Sequence, residues 1–324
     1  MNLITNALKG MAMGIAEVIP GVSGGTIALI TGIYARLIDA ITSFNLKLVR
    51  SVARNGWKGI KEGLDLSFLV SLLCGMAIGL LFGIFVVTYL YENYPEPLWG
   101  FFFGLILASS FYIGSSIKQW KLKDIVILLL GIIIAFGITI ISPASGNTSL
   151  WYVFISGMLA ITALILPGIS GSFILLLLGM YTVIIPTLKG LITDFNSEGL
   201  VLIIVFACGC MTGLIGFSRI LKYLFHHYER PTLVLLTGFM LGSLNKIWPW
   251  RNPSLLVHKE TGEELNATEP KDVVDLNLDS YKVLIEENVF PADYWLSDPM
   301  TGWTILSFIV GVGGIAIFAI VQRK

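Results

Sequence analysis

The chain has 324 residues, of which 55% are hydrophobic and only 13% are charged. So few charged residues cannot cover the surface of a soluble globule, and a formal net charge of zero provides no overall field to attract nucleic acid. Several apolar runs reach the roughly 20 residues that a helix needs to cross the hydrocarbon core of a bilayer. The composition therefore predicts a multi-pass integral membrane protein of the all-α class.

In chain order, the sequence predicts two kinds of apolar segment. Segments 3–35 and 150–185 are each interrupted near the middle by proline, glycine and serine, and the first two of these residue types break helices. Between 249 and 300 the chain leaves the apolar pattern, with 11 acidic residues against 4 basic ones. Six uninterrupted segments are expected to be transmembrane helices, at 67–91, 97–117, 125–141, 200–225, 231–248 and 302–321.

The two interrupted segments mark an internal duplication. Gly10–Tyr34 aligns with Gly157–Tyr181 at an offset of 147, with 11 identities in 25 positions. Further matches continue at an offset of 134, because the first half has a longer loop after its motif. These matching halves indicate two structural repeats, which we predict at 1–145 and 150–324.

The placement of lysine and arginine predicts opposite orientations for the two repeats. Loop 36–63 and segment 219–230 are rich in basic residues and are expected in the cytoplasm, whereas the acidic loop 249–300 is expected outside. Segment 150–185 then starts and ends outside, so we predict a re-entrant hairpin there and a second one, at 3–35, that enters from the cytoplasm. Both termini are expected on the cytoplasmic side of the inner or plasma membrane.

An inverted-topology pair of repeats, each with one hairpin and three crossings, is the plan of many secondary transporters. The arms on either side of each interruption have about 14–16 residues, or roughly 21–24 Å as helix, which is short of a full crossing but reaches the midplane. The alternative is that each interrupted segment is one long kinked span, which would change the number of crossings.

The two interruptions carry nearly the same motif, EVIPGVSGGT at 17–26 and LILPGISGSF at 164–173. After each Pro-Gly pair a new helix begins, and its first N–H groups lack intrahelical partners. Such groups attract anions and cannot be satisfied by lipid. The motifs are therefore candidates for binding a substrate, and the alternative is that the two tips satisfy each other and only pack. The candidate substrate-binding residues are Ser23, Gly24, Gly25, Thr26, Ser170, Gly171 and Ser172.

Charged residues near the membrane segments add further candidates. Glu17 lies three residues before Pro20 in an apolar run, where its counterpart is Leu164. Because an intramembrane carboxylate is costly, Glu17 is a candidate for carrying a coupled proton, and the alternative is a neutral acid that caps the free amides of the hairpin. Arg219 is a candidate substrate contact, with a topology-setting arginine as the alternative. Lys246 lies close to Trp248 and Trp250, so it is expected to be an interfacial anchor.

The motifs AEVIPGVSGGTIALITGIY and LILPGISGSFILLLLGMY resemble those of the bacterial and archaeal polyprenyl-phosphate translocases, a membrane family formerly catalogued only as a domain of unknown function. The resemblance covers nearly the whole chain, although loop 249–300 is longer than expected for the family. It implies a lipid flippase that returns undecaprenyl phosphate from the outer to the inner leaflet for peptidoglycan and cell-envelope synthesis. The implied partners are this lipid and the bilayer, with proton or sodium coupling and the oligomeric state left open.

Signatures of catalysis are thin in the sequence. It contains no acid–base pair, metal-ligand spacing or nucleotide-binding motif, so we expect neither an enzyme nor a bound metal or cofactor. Two alternatives to the flippase remain at this stage. One is a secondary transporter of a small soluble anion with the same architecture, and the other is a membrane enzyme that modifies a lipid phosphate.

Overall fold

The computed structural model describes residues 3–18, 22–141, 143–144, 146–193, 197–258, 264–267 and 280–322. The described helices of the first half are α1 (Leu3–Glu17), α2 (Gly24–Ile30), α3 (Tyr34–Thr42), α4 (Leu46–Asn55), α5 (Trp57–Gly63), α6 (Leu66–Asn93), α7 (Pro95–Ser116) and α8 (Leu122–Ile140). Those of the second half are α9 (Leu150–Ile165), α10 (Gly171–Leu177), α11 (Tyr181–Thr193), α12 (Ser197–His227), α13 (Glu229–Ser243) and α14 (Thr301–Gln322). The predicted class, an all-α membrane bundle with two re-entrant hairpins, is confirmed.

Within the described residues, α6, α7, α8, α12 and α14 are long and apolar enough to cross a membrane. The helix predicted at 231–248 corresponds to α13 together with the 3-10 turn that follows it: the α-helical part has 15 residues, and the turn continues it to Ile247. Trp248 precedes Pro249, and the position before a proline disfavours helical geometry. Most of α13 is buried among its neighbours, so this tightened end lies within protein rather than in lipid.

Both interrupted segments fold back on themselves as hairpins. In the first, Lys9 Nζ donates a 2.5 Å hydrogen bond to the carbonyl oxygen of Thr31, at the end of α2. In the second, the Tyr152 hydroxyl donates at 2.8 Å to the carbonyl oxygen of Leu178, at the end of α10. Thr31 and Leu178 are equivalent at the offset of 147. In each half the first arm therefore caps the helix that returns beside it, which a single kinked span would not allow.

The returning arms differ from the prediction. The first arms, α1 with 15 residues and α9 with 16, have the expected length. The second arms end after the seven residues of α2 and of α10, and the chain then bends by 119° into α3 and by 110° into α11. Gly32 and Gly179 stand at these bends with φ angles of +70° and +65°, which L side chains rarely adopt. The sequence comparison paired these glycines without revealing that they end the arms.

The helices pack in matching pairs across the two halves. The most extensive contacts join α1 to α6 and α9 to α12, and they join α7 to α14 and α8 to α13. Close backbone approach makes the first two pairs possible: a Cβ at Gly75 would lie 2.0 Å from the Ala7 carbonyl oxygen, and one at Gly209 would lie 2.1 Å from that of Phe154. These contacts follow the predicted equivalence of the halves, whose boundaries remain a prediction.

The acidic segment predicted as a loop at 249–300 contains a small sheet. Three antiparallel strands, β1 (Arg251–His258), β2 (Glu264–Asn266) and β3 (Tyr281–Asn288), pair in the order β2-β1-β3. The chain after β3 is anchored on α7, because Glu96 accepts hydrogen bonds from the Tyr294 hydroxyl at 2.7 Å and from the Ser297 hydroxyl at 2.6 Å. The sheet therefore lies at the end of the bundle where α6 finishes and α7 starts.

Candidate functional site

The tips of the two hairpins bond directly to each other. The Ser23 hydroxyl donates to the Leu164 carbonyl oxygen at 3.1 Å, and the Tyr34 hydroxyl donates to that of Ile165 at 3.0 Å. In the opposite direction, the Gly168 N–H donates to the Thr26 hydroxyl oxygen at 2.9 Å. Three bonds between segments more than 130 residues apart make the tips one interlocked unit.

The first tip satisfies its own backbone. The Gly24 N–H donates to Glu17 Oε1 at 2.8 Å, and the Gly25 N–H donates to the Ser23 hydroxyl at 3.1 Å. The Thr26 N–H donates to the carbonyl oxygen of Ser23 at 2.9 Å. These four predicted substrate-binding residues are buried and bonded within protein, as the packing alternative expects, and their role in binding a substrate stays a prediction. Pro20 and Gly21, in the predicted break itself, lie outside the described residues.

The second tip is arranged differently. The Ser170 and Ser172 hydroxyls hydrogen-bond to each other at 2.8 Å, and the Ser170 side chain does not cap the start of α10. Gly171 is buried against α9, where its Cβ position would lie 2.7 Å from the Ala160 carbonyl oxygen. Ser172 is exposed, and it lines a cavity. Of the seven motif residues predicted to bind substrate, it is the one that reaches this space.

A cavity of about 500 Å³ extends from the tips toward the sheet. Glu17 and Ser172 line it beside the tips, and Glu286 and Val283 of β3 line it on the side of the sheet. Its remaining walls combine two cations with aromatic and aliphatic side chains: Lys246, Arg251, Tyr91, Trp99, Phe173, Tyr181, Val18 and Leu176. Charged groups that face a largely apolar wall are typical of ligand sites.

Lys246 and Arg251 form a cation pair in this cavity. Lys246 Nζ lies 3.1 Å and Arg251 Nη1 lies 2.7 Å from the same carboxylate oxygen, Oε2 of Glu286. Each cation also faces a ring: Arg251 Cζ is 4.6 Å from the Trp99 centroid, and Lys246 Nζ is 5.1 Å from that of Phe173. Because two cations share one carboxylate, the group keeps a surplus positive charge.

The carboxylate between the cations is ionised. Burial by itself would raise the pKa of Glu286, but the positive charges of Arg251 and Lys246 outweigh it and hold the pKa below its ordinary value. Arg251 is also incompletely bonded, since its buried Nε has no hydrogen-bond partner among the described residues. A buried donor without a partner is costly, and a ligand oxygen would relieve that cost.

Sequence reasoning placed neither cation in a candidate binding site. Lys246 was expected to be an interfacial anchor, and Arg251 was not singled out within the acidic segment. The sequence did contain one signal: Arg251 is a basic residue directly after Trp250 in an acidic segment. Arg219, by contrast, is exposed on α12, and the structure does not place it among the residues that line the cavity.

Comparison with known proteins identifies the family. The family model described as undecaprenyl phosphate translocase-like matches residues 13–265, which include the tips of both hairpins, Lys246 and Arg251. The chain belongs to this family.

Two relatives are similar over most of their length. A polyprenyl-phosphate transporter from Vibrio cholerae is 42% identical over 265 residues, covering 82% of this chain and 84% of the relative. A polyprenyl-phosphate transporter from Staphylococcus aureus is 34% identical over 258 residues, covering 75% of this chain and 86% of the relative. No solved structure matches the chain significantly.

The contact between the tips predicts the effect of Thr26→Val. Valine keeps the shape of threonine but leaves the buried Gly168 N–H without its acceptor, at a cost of about 1–3 kcal/mol. We expect a lower midpoint of thermal unfolding for the purified protein in detergent. Thr212→Val is the matched control, because Thr212 is exposed and its hydroxyl donates within its own helix, to the carbonyl oxygen of Cys208. Equal midpoints for the two variants would contradict the proposed importance of the bond.

Proposed function

We propose that the chain is a transporter of polyprenyl phosphate, that it moves the lipid from the outer to the inner leaflet, and that the phosphate binds at the Lys246–Arg251 pair beside the hairpin tips. The observation that carries the proposal is the pair of cations, Lys246 and Arg251, that share the single carboxylate of Glu286 in a cavity that ends at the tips. The family and the names of its relatives support the same substrate.

The cavity suits a phosphate monoester attached to a hydrocarbon chain. Such a headgroup carries about −1.5 to −2 charges near neutral pH, and guanidinium and ammonium groups are the usual protein partners of phosphate. Arg251 and Lys246 supply these groups, and the Ser172 hydroxyl supplies a further donor near the second tip. Tyr91, Trp99 and Phe173 offer apolar surface for the first units of the chain.

Ion pairs at the opposite end of the bundle fit a transporter that faces outward. Arg36 of α3 pairs with Asp65 at 2.5 Å, next to the start of α6. Asp39 of α3 pairs with Lys222 of α12 at 2.8 Å. We infer that these contacts close the cytoplasmic side, while the cavity lies toward the sheet on the outer side. The orientation, with both termini in the cytoplasm, rests on the positive-inside rule.

Transport inward needs a coupling step. Moving negative charge against an inside-negative potential costs about 2.3 kcal/mol per charge for each 100 mV. Glu17 lies at the inner end of the cavity, where its Oε1 accepts from the Gly24 N–H. We propose that Glu17 carries a proton with the headgroup, with sodium as the other cation to be tested.

The variants Lys246→Gln and Arg251→Gln test the proposed site. Each removes one positive charge, so we expect leaflet exchange of labelled polyprenyl phosphate in proteoliposomes to fall at least about tenfold. Lys118→Gln removes an exposed cation from the connection between α7 and α8, and it should exchange the lipid like the parent protein. A second assay follows uptake of labelled inorganic phosphate.

Two results would overturn the proposal. Unchanged lipid exchange in both cavity variants would place the headgroup elsewhere. Uptake of inorganic phosphate without any exchange of the lipid would instead favour the transport of a small soluble anion.

Glu17→Gln tests the coupling role. Glutamine keeps a carbonyl oxygen that can accept from the Gly24 N–H, but it cannot bind and release a proton in the working range. We therefore expect the variant to bind the lipid phosphate while its exchange no longer responds to an imposed pH gradient. Glu62→Gln, at an exposed position on α5, is the control and should keep that response. A gradient response that survives in Glu17→Gln would exclude Glu17 as the proton carrier.

A further inference from the structure

Glu286 occupies the place where the proposed headgroup would bind. Its Oε2 atom contacts both Lys246 and Arg251, so one carboxylate oxygen makes the two charge interactions that a phosphate oxygen would make. Two neighbouring cations without a counter-ion would repel each other in a site that is partly shielded from water. The arrangement therefore resembles an occupied anion site, with the anion supplied by the protein.

We propose that Glu286 is a resident counter-anion, which neutralises part of the cation pair when the site is empty and which the incoming phosphate displaces. This inference rests on the proposed function. It gives the acidic segment 249–300 a part in the binding cycle. The sequence by itself had left the role of this segment open. Competition by the carboxylate would weaken phosphate binding and would also speed release, as a carrier site requires.

The burial of the three side chains fits an exchangeable contact. The side chains of Lys246 and Glu286 are 28% and 29% exposed, and that of Arg251 is 11% exposed. Partly exposed ion pairs contribute little net stability, so separating the carboxylate from the cations is inexpensive when another anion replaces it. The cations stay in the cavity wall, where each faces an aromatic ring.

The alternative role for Glu286 is to fasten the sheet to the helices. Other bonds already do this: Trp248 Nε1 donates to the Val289 carbonyl oxygen at 2.8 Å, and Trp250 Nε1 donates to that of Pro299 at 2.8 Å. The side-chain amide of Asn288 further donates to Asn245, at 2.9 Å to its carbonyl oxygen and at 2.7 Å to its Oδ1. Because these bonds hold the sheet without Glu286, the carboxylate can change partner while the sheet stays attached.

Binding of a short-chain prenyl phosphate monoester to the full-length protein in neutral detergent tests the proposal. Glu286→Gln removes the competing charge, and Glu286→Asp keeps the charge but shortens its reach. We expect both variants to bind the monoester about tenfold more tightly than the parent protein, and to exchange polyprenyl phosphate more slowly in proteoliposomes because release is slower. Glu287→Gln removes the adjacent carboxylate, which is exposed and is not among the residues that line the cavity, and it should change neither quantity.

The outcomes separate this inference from the proposed function. Unchanged or weaker binding in Glu286→Gln would overturn the counter-anion role. Tighter binding in Glu286→Gln with no change in Glu286→Asp would also overturn it, because the charge alone and not the contact would then matter. If Lys246→Gln and Arg251→Gln bind the monoester as tightly as the parent protein, the proposed site itself fails. Glu286→Ala replaces Glu286→Gln, with the same expectation, if the glutamine variant does not fold.

Discussion

The architecture depends on one constraint: a backbone that is interrupted inside a bilayer must find its hydrogen bonds within the protein. Each half of the chain breaks a helix near its middle, and each break exposes peptide groups that lipid cannot satisfy. The structure resolves this by bringing the two breaks together. The hydroxyls of Ser23 and of Tyr34, at the start of α3, donate to the carbonyl groups of Leu164 and Ile165, and the hydroxyl of Thr26 accepts from the N–H of Gly168. The two halves are thereby joined at the positions where their helices are interrupted.

The cations of the cavity lie outside the two interlocked tips. In the first tip, Glu17 and Ser23 already bond to the amides that would otherwise attract an anion. The positive charge comes from Lys246, just after α13, and Arg251, at the start of the sheet. Two nearly symmetric motifs therefore border an asymmetric cavity, which Glu17 and Val18 line from the first repeat and Ser172 and Phe173 line from the second.

Much of the fold could be predicted because it depends on composition and repetition. Apolar runs located the long helices, and the repeated Pro-Gly and Ser-Gly pairs located both hairpins. The bends at Gly32 and Gly179 were missed, because the residues next to a glycine in an apolar run do not show whether that glycine adopts a positive φ angle. The sheet was missed because its strands lie in an acidic stretch without a clear alternating pattern.

The candidate site was only partly predictable. Glu17 and Ser172 were identified from the motif, and both line the cavity. Ser23 and Thr26 have the residue types of a ligand site, but their partners are distant carbonyl and N–H groups that no local pattern reveals. Arg251 depends on a contact with β3, 35 residues away along the chain. A pairing over that distance is a property of the fold and not of the sequence near either residue.

Locating the bound lipid headgroup would test the account most directly. Electron cryomicroscopy of the protein in a nanodisc with a saturating prenyl phosphate monoester would show the phosphate as a compact feature. The account predicts this feature between Lys246 and Arg251, beside joined hairpin tips and with Glu286 moved away from both cations. A phosphate bound at the cytoplasmic end of α12, near Arg219, with the cavity beside the sheet empty, would contradict it.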